Sequence, residues 1–207
     1  MNDYIGGSPL ISDNDYPRPV FLTEGDFIDF TAYDVETTGL SPQKECITEI
    51  GAVKVRGGKV TDEKRFAFHE LIRPYAGVTP AQADRVAWLT GITGDMVAEA
   101  PPVTQIMTAF KEFIGDDILI GYNNKRFDAA FLRRAGMYAG VVIPNRQFDV
   151  MLFSKPYLPS LGICKQCAKL GELAAALNIR NPRAHRAYAD ALTTAKIYVC
   201  LQSGRTD

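Results

Sequence analysis

The sequence predicts an α/β protein, a mixed sheet with helices on both faces, on three observations. Three β-rich runs, 27–37, 46–58 and 59–74, follow one another across short polar turns, as an antiparallel meander requires. Beyond Pro74 helical and strand patterns alternate, which calls for crossovers that lay helices over the sheet. A chain of 207 residues with 46% hydrophobic side chains can bury such a sheet within one domain.

Taken in order, residues 1–26 are rich in Gly, Pro, Asp and Ser and show no sustained period. They are expected to form an N-terminal arm, partly disordered, ahead of a domain over 27–207. The run "FIDFTAYDVET" carries apolar residues on both parities, as a central strand covered on two faces does. "CITEIGAVKVRGG" is the second strand, and "RGGK" supplies the chemistry of a tight hairpin into the third run. "TPAQADRVAWLTG" reads as a short helix with Trp88 in the core. "PPVTQIMTAFKEFIG" reads as a longer one, because Ile106, Met107, Phe110, Phe113 and Ile114 make one stripe between a leading Pro and a closing Gly. Then follow a buried strand in "DDILIGY", a helix in "FDAAFLRRAGMYAG", a strand in "RQFDVML", and helices in "CAKLGELAAALNI" and "AYADALTTAKIYVCL".

Charge and composition exclude some functions. With 23 basic against 24 acidic side chains there is no global attraction to phosphate, which argues against a protein that coats long nucleic acid. No apolar run approaches the roughly 18 residues of a membrane helix, and the first residues are acidic, so no membrane association and a cytoplasmic location are expected. Four scattered cysteines suit a reducing compartment, and the lone "CKQC" lacks the second pair that a zinc site would need.

The chemistry lies in acids at apolar positions. Asp34 and Glu36 stand two apart on the first strand, so they share a face. Burying each ionised carboxylate costs several kcal/mol unless a cation compensates. A strand that ends near Tyr33, leaving both acids in a loop, is the alternative reading. Asp128 shares a helical stripe with Phe131, Leu132 and Ala135, though an acid at a helix N-terminus also has the dipole in its favour. Asp190 shares its face with Thr194, Ile197 and Leu201. His185 lies five residues before Asp190, about 140° away on a continuous helix, so both serve one site only if the helix starts between them. Four carboxylates make a hard oxygen site suited to Mg²⁺ or Mn²⁺. Two such ions stabilise in-line displacement at phosphorus, and an imidazole accepts a proton from water near neutral pH.

These residues resemble the DEDDh group of 3′–5′ exonucleases. "DVETTGL" matches its first motif with Asp34, Glu36, Thr37, Thr38, Gly39 and Leu40; "NNKRFD" matches the second with Asp128; "HRAYAD" matches the third with His185, Ala187 and Asp190. The three fall in the family's order over about residues 28–202, and the run containing "GITGDMV" is similar to the family's linker between the first two. The resemblance implies a ribonuclease H-like fold, a five-stranded mixed sheet whose first three strands are antiparallel. It implies removal of nucleotides from 3′ ends as 5′-monophosphates. Asp34, Glu36, Asp128 and Asp190 would hold two ions, Mg²⁺ or Mn²⁺, with His185 as general base. Thr37, Thr38 and Gly39 would offer polar groups to the terminal nucleotide, and Leu40 would wedge against its base. Of Asn123 and Asn124, the second is favoured as the family's asparagine.

Lys125 and Arg126, where cations oppose a helix dipole, are expected at the substrate phosphates. Arg183 and Arg186 flank the histidine and read equally as phosphate contacts or solvated charge; Arg133 and Arg134 read as an extension of the basic rim. Trp88 and Tyr188 are candidates for stacking on bases. His69 reads as an ordinary sheet residue. The expected partner is a single-stranded or frayed DNA or RNA 3′ end, DNA being favoured. A polymerase-associated proofreading subunit, an RNA-directed exoribonuclease and an inactive nucleic-acid-binding module are the alternatives. A homodimer is implied by the family alone, since no apolar stripe is left for an interface. Too few residues follow the last helix for a polymerase-binding tail, which leaves residues 1–26 as the expected tether for any such partner.

Overall fold

The computed structural model describes residues 8–61, 63–164 and 168–204. Its sheet comprises β1 (Phe21–Leu22), β2 (Phe30–Thr37), β3 (Ile47–Arg56), β4 (Lys59–Val60), β5 (Ala67–Leu71), β6 (Leu119–Gly121) and β7 (Gln147–Asp149). The order is β1-β7-β6-β2-β3-β4, with β5 also paired to β3. β3 runs antiparallel to β2, β4 and β5, whereas β1, β7 and β6 run parallel to β2. The expected mixed sheet is present, with seven strands among the described residues instead of five. The additional β1 and β4 have two residues each, too few to leave an alternating signal.

The helices are α1 (Ala87–Thr90), α2 (Gly94–Ala98), α3 (Val103–Ile114), α4 (Asp128–Ala139), α5 (Val150–Ser154), α6 (Leu170–Ala176) and α7 (Ala187–Gln202). Alternation along β2 assigns them to two cores. Tyr33 and Val35 pack with Met107 and Phe110 of α3 and Phe131 of α4. Phe30 and Ala32 pack with Leu173 of α6 and Ile197 and Tyr198 of α7. Burying each large apolar side chain is worth about 1.5–3 kcal/mol, which fixes the strand's register and with it the face to which Asp34 and Glu36 belong.

Several sequence expectations shift in detail. The strand of "RQFDVML" stops at Asp149, because that side chain accepts from Leu152 N and caps α5. "TPAQADRVAWLTG" splits into a 3₁₀ turn over Pro80–Arg85 and α1, and Trp88 is 82% exposed, not in the core. Gly57 and Gly58 both have positive φ, as a two-residue hairpin between Arg56 and Lys59 demands. Cys167 of "CKQC" lies outside the described residues.

The period-free stretch after Gly7 lies against α4. Tyr16 is buried; its hydroxyl donates to Val141 O and accepts from Ile143 N. Arg133, expected on a basic rim, is buried: it donates to Asp13 and to the carbonyls of Asp13 and Tyr16. Single anchors rather than a repeating face hold this segment, so periodicity gives no sign of it.

The first turn of α7 crosses β3 in close contact at Gly51. A Cβ on Gly51 would stand 2.0 Å from Tyr188 N and 2.3 Å from Ala187 C. Both are backbone atoms and cannot swing aside. Gly51→Ala is therefore expected to cost about 1–3 kcal/mol, or roughly 2–4 °C of melting temperature per kcal/mol. Gly171→Ala, a helical position with open space around it, should be neutral or stabilising. Thermal denaturation of both variants checks the contrast; equal melting temperatures would contradict it.

Candidate active site

Strand lengths create the site. β6 pairs with β2 only at Thr31 and Ala32, so from Tyr33 onward that edge of β2 is free. The start of α4 fills the gap: Val35 N donates to Asp128 Oδ1 at 3.2 Å. β2 continues to Thr37, so Asp34 and Glu36 lie on a strand and not in a loop. They face α7, whose first turn carries Asp190. One carboxylate oxygen from each of Asp34, Glu36 and Asp190 lies within 4.8 Å of the others. Asp128 stands outside this trio but lines the same cavity of about 900 Å³, together with His185, Asn123 and Asn181.

His185 lies on the loop before α7, in the left-handed region at φ 65°. That conformation costs about 1–2 kcal/mol for a residue with a Cβ. A hydrogen bond to a charged acceptor, worth about 1.5–3 kcal/mol, offsets it: His185 N donates to Asp190 Oδ2 at 2.9 Å. Asn181 Nδ2 donates to the other oxygen of Asp190. The aspartate thus organises the loop before its own helix, with both side chains lining the cavity.

Among the described residues no Lys or Arg forms an ion pair with any of the four carboxylates. Burial, then the charges of Asp128, Glu36 and Asp190, pushes the Asp34 carboxyl well above its ordinary range. Burial and then Asp190, Glu49 and Asp128 push Glu36 up to about 8, against a partial opposing pull from Arg186. Burial raises Asp128 to about 7, and burial likewise raises Asp190. Carboxylates kept this close, two of them half-buried and two buried, fit a hard divalent cation, which supplies the positive charge that the protein withholds.

The remaining sequence candidates take varied places. The Thr37 hydroxyl donates to Gly39 O, and that of Thr38 donates to Glu45 Oε2 and accepts from Cys46 N, so both shape the loop after β2. Leu40 at its tip is 85% exposed. Asn124 is buried and donates to Gln147 Oε1; Asn123 is the asparagine that lines the cavity. Lys125 and Arg126 are exposed before α4, with the Lys125 ammonium over the Phe21 ring. Arg186 is half-buried and pairs with Glu49. Sequence reading passed over Glu49, although a charge inside "ITEIGAV" is the same signal that marked Asp34. Asn181 and Asp149 were also missed. Asp149 accepts from the backbone N–H groups of Asn123 and Lys125 and so holds the loop before α4.

Comparison with known proteins places this geometry in a class. E. coli exonuclease I in complex with a dT13 oligonucleotide superposes with TM-score 0.69 at 20% identity, over 84% of this chain and 41% of that one. The zinc-ion-bound E. coli exonuclease I–ssDNA complex gives 0.68 at 21% identity, over 86% and 41%. The fold is thus ribonuclease H-like. The family model for RNase T, described as Exonuclease, matches residues 31–198, and the chain belongs to that family. The DNA polymerase III PolC-type protein of Clostridium perfringens is 31% identical over 193 residues, 93% of this chain but 12% of that protein. Its Bacillus subtilis counterpart is 43% identical over 106 residues, 51% and 7% respectively. The chain therefore spans a small part of the curated relatives it matches. Among the described residues no helix is long and apolar enough to cross a membrane.

Raised carboxyl groups give a signed pH dependence. Between its unfolded value near 4.3 and its folded value of about 8, Glu36 binds more proton in the native state, so its contribution to stability falls as pH rises. In EDTA, Glu36→Gln is expected to be more stable than the parent at pH 8, with the advantage shrinking towards pH 5. Mg²⁺ should raise the melting temperature of the parent at pH 8 and leave that of Glu36→Gln less changed. Thermal melts across pH check this, and a gap independent of pH would contradict the electrostatic reading.

Proposed function

We propose that this chain is a 3′–5′ exonuclease domain that hydrolyses single-stranded or frayed DNA and releases 5′-mononucleotides. The observation that carries the reading is the convergence of Asp34, Glu36, Asp128 and Asp190 with His185 on one cavity, in a member of the exonuclease family. A single-stranded substrate is supported by the oligonucleotide complexes of exonuclease I, a structural neighbour.

Asp34, Glu36, Asp128 and Asp190 would hold two divalent ions, Mg²⁺ or Mn²⁺, which when bound stabilise negative charge on the attacking and leaving oxygens. His185 positions a ring nitrogen beside the attacking water and accepts its proton. The water oxygen bonds to phosphorus as the P–O3′ bond breaks; the departing 3′ oxygen takes a proton from solvent, leaving a strand one nucleotide shorter. Leu40, held at the tip of a loop braced by Thr37 and Thr38, meets the terminal base, and Lys125 and Arg126 meet the phosphates upstream. Asn123, rather than Asn124, is the asparagine within reach of the nucleotide. A polymerase context is the second reading, favoured by the match to PolC-type proteins; preferential hydrolysis of a mispaired over a paired 3′ terminus would support it.

Digestion of 5′-labelled single-stranded DNA with Mg²⁺ tests the proposal. A ladder shortening stepwise from the 3′ end is expected, abolished in Asp34→Ala and Asp190→Ala. His185→Ala should lower kcat by about 10²–10⁴-fold with the melting temperature held. Immediate release of the label as a mononucleotide, or full activity in Asp34→Ala, would contradict it.

A further inference from the structure

Glu49 is a charged residue in an apolar strand, and the register of β2 and β3 sets it directly opposite Glu36. Two carboxylates in that relation repel. Glu49 nevertheless has a fully buried side chain, and its partners explain how. Arg186 donates through Nε at 3.0 and 3.2 Å and through Nη2 at 2.6 Å, Ala187 N donates to Oε2 at 2.8 Å, and His69 Nε2 lies 2.7 Å from Oε1. Burial alone would push the carboxyl up; the donors from His69, Arg186 and Ala187 outweigh it and hold the group at about 2. His69, expected to be an ordinary sheet residue, belongs to this clamp and stacks on Tyr188.

These contacts converge on one short segment. Glu49 grips the side chain of Arg186 and the N–H of Ala187, while Gly51, two residues along the same face of β3, lets the next peptide of α7 sit on the strand. The gripped residues follow His185, whose left-handed backbone is tied on the other side to Asp190. The loop is therefore fixed from both flanks, by Asp190 from within the site and by Glu49 from outside it.

We infer that Glu49 is a positioning residue: acting through Arg186 and Ala187 N, it sets the direction in which His185 enters the cavity. The inference rests on the exonuclease reading for its kinetic consequence but not for its structural one. A plain stabilising pair is the competing role, and since a buried ion pair is often no more stabilising than apolar replacements, stability alone cannot distinguish the two.

The test combines Glu49→Gln with His185→Ala in a double-mutant cycle on 5′-labelled single-stranded DNA with Mg²⁺, alongside NMR of the protein without metal. The chain has two histidines, His69 and His185, so a His69→Gln variant assigns the two imidazole signals. Glu49→Gln is expected to lower kcat by about 10- to 100-fold, the scale of a misplaced catalytic group, with KM little changed. That loss should nearly vanish in the His185→Ala background, and the His185 ring signals should shift or broaden. Undiminished kcat, a full loss persisting without His185, or unmoved His185 signals would overturn the inference. If Glu49→Gln does not fold, Arg186→Gln, altering a partly exposed side chain, carries the same cycle and the same outcomes. Should His185→Ala itself keep the parent kcat, the general-base assignment fails, and the ring signals alone then decide the role of Glu49.

Discussion

Mutual repulsion among crowded carboxylates, half-buried at Asp34 and Glu36 and buried at Asp128 and Asp190, governs this molecule. Asp34, Glu36 and Asp190 offer oxygens within 4.8 Å of one another, and Asp128 joins them on the cavity wall. Each would be cheaper in water or beside a cation. The fold holds them together regardless, because β2 is fixed by apolar side chains on both of its faces and cannot slip by one residue without exposing both cores. The packing that stabilises the domain thus bears the cost of a site tense without positive charge, which is how a protein acquires appetite for divalent ions.

The scaffold meets this demand with few parts. A short β6 leaves the edge of β2 open, and the N-terminus of α4 closes it through Asp128. The first turn of α7 rests on the bare backbone at Gly51, which brings Asp190 to the strand and leaves His185 on the preceding loop. Arg186 joins two otherwise opposed acids: it pairs with Glu49, and its charge moderates Glu36 across the ladder. Here a local feature, a glycine in a strand, determines the geometry of chemistry contributed by residues more than 130 positions away.

Much of this was legible in the sequence because it rests on period and on misplaced charge. An acid on an apolar stripe is costly, so Asp34, Glu36, Asp128 and Asp190 were visible one at a time, and the five-residue gap to His185 located the start of α7. What escaped notice had no such signal. Arg133 and Arg186 look like solvated arginines until their partners, Asp13 and Glu49, are brought to them from distant sequence. Trp88 looks like a core residue because hydrophobicity is a one-way guide to burial. Asn124 is buried against Gln147 while its neighbour Asn123 has a positive φ and lines the cavity, a local turn that a sequence does not display.

The most direct measurement is anomalous scattering from crystals of the protein soaked in Mn²⁺. Density bounded by Asp34, Glu36 and Asp190, with the Asp128 carboxylate on the same cavity wall turned towards it, is the expected result. Manganese bound only elsewhere, with these four side chains hydrogen-bonded to each other as neutral acids, would contradict the claim that their repulsion exists to be relieved by a cation.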